Sequence, residues 1–164
     1  MSEQFLCVMA GFDDQTEKHL EELQKELYQR EFVGIHTKNI PLHITLGIFD
    51  VSEEKMISTL VKMVSSNTES FDVTFNHIGI FGGSEVLFIA PDINRELLKL
   101  KENFGESYDW TPHVTMLIDE PAEIFKAAQV LSSSFTKFKG RVEKLYLYEF
   151  WPSRYILAES MLNR

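Results

Sequence analysis

The segment that most constrains how this chain folds is Pro41-Leu42-His43-Ile44-Thr45-Leu46-Gly47-Ile48-Phe49. Successive side chains of a strand alternate between faces, so the segment divides by parity. Leu42, Ile44, Leu46 and Ile48 form an aliphatic face that needs a core. His43, Thr45 and Gly47 form the opposite face, which offers an imidazole, a hydroxyl and, at Gly47, space for something to approach. The pattern returns in Thr111-Pro112-His113-Val114-Thr115-Met116-Leu117-Ile118, with Val114, Met116 and Ile118 on one side and His113 and Thr115 on the other. The chain has five histidines, and two of them occupy this setting. A single copy fits a satisfied core histidine equally well. Two copies, each with its ring opposite the aliphatic face, point to chemistry.

The remaining elements come in order. Phe5 to Ala10 reads as a buried strand. Asp14 with Glu17 suggests a capping box, and Leu20, Leu23 and Leu27 carry a helix from Asp14 to Arg30. His36 lies in the next connection, where a solvated loop histidine is expected; His19 is expected to be exposed on the helix. Ser52 opens a second helix with Met56, Ile57, Leu60, Val61 and Val64 inward. Phe71 to Phe81 reads as a strand, Gly82-Gly83 as a hairpin turn, and Val86 to Ala90 as the returning strand. His77 in that hairpin is expected to be structural. Asn94 caps a third helix with Ile93, Leu97, Leu100 and Phe104 on one side. Pro121 opens a fourth, with Ile124, Ala128 and Leu131 inward. Val142 to Phe150 and Tyr155 to Met161 complete the set as strands.

Strand, helix, His-x-Thr strand, helix, strand thus occurs over 5–81 and again over 86–150, with an extra strand at 155–161. The expectation is one α+β domain spanning 1–164. Its two pseudo-symmetric lobes, each a mainly antiparallel sheet with outer helices, face each other across a central cleft.

Composition bounds the partners. The formal net charge is −9, and a surface that tracks long nucleic acid needs clustered Lys and Arg to displace counterions. A small nucleotide or an RNA terminus is therefore the expected ligand, and no long duplex. No apolar run reaches the length of a membrane span, and no basic segment precedes the first strand as a signal peptide requires. The lone Cys7 lies in an apolar run and reads as a small buried hydrophobe. A reducing cytoplasm is the expected location, and a monomer the expected state.

The paired His43-Ile44-Thr45-Leu46 and His113-Val114-Thr115-Met116 resemble the two His-x-Thr-x signatures of the 2H phosphoesterase superfamily, which includes the RNA 2′,3′-cyclic phosphodiesterases, or 2′-5′ RNA ligase-like proteins. The resemblance spans nearly the whole chain. It implies metal-independent hydrolysis of 2′,3′-cyclic phosphates on RNA ends or small nucleotides, without a cofactor, and with reverse 2′-5′ ligation as a further possibility. His43 and His113 are the implied catalytic pair, one accepting a proton while the other donates, in an order the sequence leaves open. Thr45 and Thr115 are placed to donate hydrogen bonds to phosphate oxygens. Many relatives carry a basic residue shortly after a motif; here Leu46-Gly47-Ile48 and Met116-Leu117-Ile118 stand in those places, which moves that role to Arg154. Phe81, in a Gly-Ile-Phe segment resembling one near the family's cleft, and Tyr155 are candidate substrate contacts, and Tyr148 and Trp151 candidate stacking surfaces. Two alternatives remain: a nucleotide-binding module of the same fold with little turnover, and a zinc site, for which no third ligand with suitable spacing is evident.

Overall fold

The computed structural model describes residues 3–83, 85–151 and 155–164, with Tyr155 described through its backbone alone. The strands are β1 (Phe5–Phe12), β2 (Ile44–Phe49), β3 (Phe71–Ile80), β4 (Val86–Pro91), β5 (Val114–Ile118), β6 (Phe138–Phe150) and β7 (Tyr155–Met161). The helices are α1 (Asp14–Gln29), α2 (Glu54–Ser66), α3 (Arg95–Glu102) and α4 (Pro121–Ser134). Every named strand pair is antiparallel.

β6 holds the molecule together. One of its edges pairs with β1 over Val142 to Phe150. The other edge is shared: its first residues pair with β3 and the later ones with β7. The strand order is β2-β1-β6-β3-β4-β5 with β7 beside β6. One lobe therefore contains β2, β1, β7 and the end of β6; the other contains β3, β4, β5 and the start of β6. Chain order and spatial grouping interleave, because β3 precedes the hairpin turn yet sits with β4 and β5.

The strand β6 begins four residues before the Val142 start that the apolar alternation suggests. Lys139, Gly140 and Arg141 interrupt that alternation, but they pair with Thr74, Val73 and Asp72. A Cβ at Gly140 would lie 2.7 Å from Thr16 Cγ2, so the missing side chain lets α1 sit against this end of β6.

The helix ends obey local chemistry. The Asp13 carboxylate, rather than Asp14, caps α1 by accepting from the Thr16 amide at 2.9 Å. Asn94 Oδ1 accepts from the Leu97 amide at 2.8 Å to cap α3, although Ile93, expected on its inner side, is exposed. Pro121 occupies the first turn of α4. Asp50 and Glu53 form a capping box around a single 3-10 turn, Val51–Glu53, which delays α2 to Glu54 rather than Ser52.

The main core lies between the sheet and the helices and includes Leu6, Val8, Ala10, Ile44, Leu46, Leu87, Ile89, Val114 and Met116. A second, smaller cluster lies on the reverse face of β1 and β6: Cys7, Met9, Tyr146, Tyr148 and Phe150. Alternation along β1 separates the two. Among the described residues, no helix is long and apolar enough to cross a membrane.

Candidate active site

β2 and β5, which carry the two His-x-Thr segments, are the opposite ends of the strand order. Five inter-strand steps of ~4.8 Å would hold them about 24 Å apart in a flat sheet. Instead, His43 and Thr115 line one cavity of about 340 Å³, so the sheet curls until its edges meet.

The closure is reciprocal. Trp110, just before the second motif, donates its indole N–H to the Thr45 carbonyl at 3.2 Å. The loop before the first motif bonds the far end of β5, with the Ile35 amide donating to Ile118 O and the Gly34 amide to Asp119 Oδ2 at 3.4 Å. Gln24 on α1 adds a side-chain amide bond to Met116 O at 3.1 Å.

Both motif strands carry a β-bulge at the residue after the threonine. In β2, Met9 pairs with Thr45 but Val8 with Gly47, leaving Leu46 as the extra residue. In β5, Phe88 pairs with Thr115 but Leu87 with Leu117, leaving Met116 extra. A bulge leaves its extra residue unpaired and re-aims the rest of the strand. Three expectations change as a result. Ile48 leaves the aliphatic face, pairs with Cys7 and is 64% exposed. Ile118 likewise crosses to the histidine side and lines the cavity. Gly47 turns toward the core side with Val8; a Cβ there would lie 2.9 Å from the Phe104 carbonyl oxygen, so a protein backbone fills the space expected to receive a ligand.

The histidines themselves lie one residue before their strands, in the extended segments that lead into β2 and β5. His43 Nδ1 is 2.6 Å from Pro41 O and His113 Nδ1 is 2.8 Å from Thr111 O. A carbonyl only accepts, so each neutral ring carries its proton on Nδ1 and leaves the Nε2 lone pair free. Burial pushes the His43 pKa down to about 4; the Pro41 bond opposes this, and repulsion from His113 adds to it. Burial also lowers the His113 pKa, against the Thr111 bond. The repulsion shows that the two rings share one electrostatic environment.

Aromatic rings fix His113. Phe81 meets it edge-on at 4.7 Å and Phe88 lies at 5.3 Å, so Phe81 packs beside the second motif histidine. Thr45 Oγ1 accepts a weak bond from the Cys7 thiol at 3.8 Å, which leaves its own proton free to donate. Cys7 is buried and its pKa is pushed up to about 12, mainly by that burial, so the thiol stays protonated.

His36 is exposed, as expected of a loop residue, yet it lines the cavity and packs edge-on against Trp151 at 4.6 Å. Tyr148 is buried beneath the site in the smaller cluster. His77 lies 4.0 Å from Asp92, away from the cavity. Arg154 lies outside the described residues, as does the side chain of Tyr155. Among the described residues that line the cavity, none is Lys or Arg. Three larger hollows, about 820, 520 and 440 Å³, are lined by none of the four motif residues.

The residues that motif reading missed are Trp110, Gln24, Phe88 and His36. Each acts through a contact distant in sequence, and no local pattern announces it.

A sequence model of the family described as the 2′-5′ RNA ligase superfamily matches residues 12–150, which include both motifs. The fold is similar to that of Escherichia coli LigT complexed with 3′-AMP, at 18% identity and a TM-score of 0.65, over 99% of this chain and 100% of that one. The LigT complex with NADP+ is similar at 17% identity and a TM-score of 0.63, over 100% of both chains. TT0787 of Thermus thermophilus is similar at 17% identity and a TM-score of 0.65, over 96% of this chain and 97% of that one. No match is found among curated proteins.

Proposed function

The chain belongs to the 2′-5′ RNA ligase superfamily, the 2H phosphoesterases, and from that premise we propose that it hydrolyses 2′,3′-cyclic phosphates of small nucleotides or RNA ends by two-histidine acid–base catalysis. The observation that carries this reading is the pairing of His43 and Thr115, from opposite motifs, in one cavity, with His113 close enough to repel a proton on His43. The crystal complexes of LigT with 3′-AMP and with phosphate support a ligand of this size and charge.

The balance of the step is simple. One imidazole Nε2 takes a proton from water as the water oxygen bonds to phosphorus. The opposite bond, from phosphorus to one ribose oxygen, breaks, and the other imidazolium supplies the proton that oxygen needs. The product is a nucleoside monophosphate ester, and the pair exchanges roles in the ligation direction. Thr45 and Thr115 donate to the non-bridging oxygens, where charge builds.

The two rings differ in how they hold the proton. His43 is the more depressed and is repelled by a charged His113, so a single proton shared by the pair resides on His113. This makes His43 the base and His113 the acid for hydrolysis. An empty site near neutral pH has both rings neutral. A bound phosphate anion favours the charged imidazolium, so substrate binding itself recruits the missing proton.

The test is turnover of the four nucleoside 2′,3′-cyclic phosphates beside His43→Ala and His113→Ala. Hydrolysis by the parent and its loss in both variants is the expected outcome; near-normal rates in either variant overturn it. A second reading, a nucleotide-binding module with little turnover, draws on the lowered pKa of both rings, His113 included, which leaves the empty site short of an acid near neutral pH. Calorimetric binding of 3′-AMP with no hydrolysis of any cyclic nucleotide would favour that reading.

A further inference from the structure

Phe88 is a large buried side chain that belongs to neither core cluster. Its neighbours Leu87 and Ile89 face the main core, so strand alternation turns Phe88 to the other face. There it pairs with Gly79 on β3 and with Thr115 on β5. The three form one row across the sheet, and the row ends at the second motif. The Phe88 ring lies 5.3 Å from the His113 ring and 4.5 Å from that of Phe81.

Gly79 makes that pose possible. A Cβ there would lie 2.7 Å from Phe88 Cε2 and closer still to Cζ, so the ring occupies the space a side chain would need. The backbone does not call for glycine. Among the described residues the glycines with positive φ are Gly34, Gly83 and Gly105. Glycine inside a strand is costly in backbone entropy, and close approach by another group is what accounts for it here.

The first lobe divides the same space differently. There Met9 pairs with Thr45 as Phe88 pairs with Thr115, and Tyr146 pairs with Met9 as Gly79 pairs with Phe88. The aromatic ring stands one strand away from the motif in that lobe and beside it in this one. A thioether adapts to its surroundings, whereas a phenyl ring presents a flat wall. Exchanging Tyr146 and Met9 for Gly79 and Phe88 marks the latter two as a coupled pair.

We propose that Gly79 and Phe88 act together as positioning residues for His113: the glycine seats the ring, and the ring holds the imidazole with Nε2 toward the phosphate. The proposal rests on the phosphoesterase reading for the role of that nitrogen. The Nδ1 contact with Thr111 O fixes one edge of the imidazole, and a single hydrogen bond leaves the ring free to swing about it. Phe81, nearly perpendicular at 83°, and Phe88, tilted at 58°, restrain that swing. Proton transfer needs heavy atoms within about 2.6–3.2 Å of each other. A misplacement of about 1 Å can lower the rate by about a hundredfold.

The experiment is a double-mutant cycle of the parent, Gly79→Ala, Phe88→Met and the two combined, with circular dichroism to establish folding. Phe88→Met borrows the first lobe's residue and frees the space that the alanine methyl needs. On adenosine 2′,3′-cyclic phosphate, Gly79→Ala is expected to lower kcat by about tenfold to a hundredfold with KM held within about twofold. Phe88→Met lowers kcat severalfold. The combined variant falls no further than Phe88→Met, because the alanine acts only through the ring it displaces. Losses that multiply, or a loss carried by KM, overturn the proposal.

Imidazole nitrogen NMR reads the same pose without turnover, above the pH range where either ring is protonated. The parent is expected to hold His113 as the Nδ1–H tautomer. In Gly79→Ala and Phe88→Met its two nitrogens move toward the mixed-tautomer average, while His43 keeps its Nδ1–H form. His113→Ala identifies the signals. An Nδ1–H form retained by His113 in the folded variants overturns the positioning. If Gly79→Ala fails to fold, Phe88→Met decides alone, through kcat and through the tautomer. If the parent hydrolyses no cyclic phosphate, that failure falls on the phosphoesterase reading, and the tautomer shift alone keeps or removes the Gly79–Phe88 seat.

Discussion

The two His-x-Thr segments are near copies in backbone and unlike in surroundings. In both, the imidazole Nδ1 bonds the carbonyl two residues back, at 2.6 Å for His43 and 2.8 Å for His113. In both, the strand bulges after the threonine. In both, a side chain from elsewhere bonds a carbonyl at the bulge, Trp110 to Thr45 and Gln24 to Met116. The surroundings diverge: Phe81 and Phe88 pack against the less buried His113, whereas His43 is the more deeply buried ring and lines the cavity with Ile40, Phe150 and Trp151. A repeated backbone thus places two equivalent imidazoles, and the unrepeated side chains around it give one ring the lower pKa. Two identical imidazoles would share a proton equally; acid–base chemistry needs them unequal.

The hardest way to break this comparison is to remove each ring in turn. His43→Ala and His113→Ala should each lower kcat on a 2′,3′-cyclic nucleotide by ~10² to 10⁴, with circular dichroism unchanged. A large loss in one and a small loss in the other would show that the segments are alike in shape only. The hydroxyls come next. Thr45→Val and Thr115→Val keep the shape of the side chain and remove the donor, and each should cost ~10² in kcat with little change in KM. Unequal losses would identify the threonine nearer the developing charge.

The pH dependence sharpens the difference between the rings. Productive enzyme carries one neutral and one protonated imidazole, so the kcat/KM profile is a bell bounded by the two free-enzyme pKa values. Both lie below the ordinary 6.5. The optimum is therefore expected between about 4 and 6.5, with a fall of about tenfold per pH unit above the upper limb. Stability runs the same way. A folded state that depresses a histidine pKa favours the neutral ring. The contribution is complete above pH 6.5 and is lost as pH falls toward about 4, the His43 value. His43→Asn should flatten that acid loss in a denaturant titration more than His113→Asn does.

Much of this is legible locally. Parity, caps and turn residues place seven strands and four helices because those signals act within a few residues. The β7 range agrees with its apolar pattern, and Phe81, at the end of the first hairpin strand, packs against His113. Parity fails where a bulge intervenes. Nothing in Leu46-Gly47-Ile48 marks the extra residue, since its cause is the pairing with β1. Gly47 departs from its expected role for a related reason: the group that approaches it, the Phe104 carbonyl, arrives from the end of α3. His36 shows the remaining gap. Its exposure is what a loop predicts, but its place in the cavity depends on bonds to β5 that no neighbouring residue encodes.

The reciprocal clasp gives a smaller, more structural test. Trp110→Phe keeps the ring against the core and removes the donor to Thr45 O. A net hydrogen bond is worth about 1 kcal/mol, so a loss of that order is expected in urea unfolding. Activity should fall severalfold through kcat, because Thr45 loses the bond that fixes its carbonyl at the bulge. If stability falls and kcat holds, the clasp closes the sheet without aligning the hydroxyl.

Cys7 offers the finest comparison. It pairs with Ile48 across from the first motif, and Val86 holds the equivalent place beside Ile118 in the second. One lobe therefore puts a thiol there and the other a hydrocarbon. If the segments are functionally equivalent, the S–H contact to Thr45 at 3.8 Å is packing. Cys7→Ala should then leave kcat within about threefold and cost about 1 kcal/mol, the range for trimming a small buried side chain. The parent should also resist alkylation at neutral pH, because a thiol with its pKa pushed up to about 12 presents almost no thiolate. A tenfold loss in Cys7→Ala would mean instead that the thiol orients the Thr45 hydroxyl, a task that Val86 cannot perform for Thr115, and the two halves of the site would then be unequal in their phosphate donors as well as in their protons.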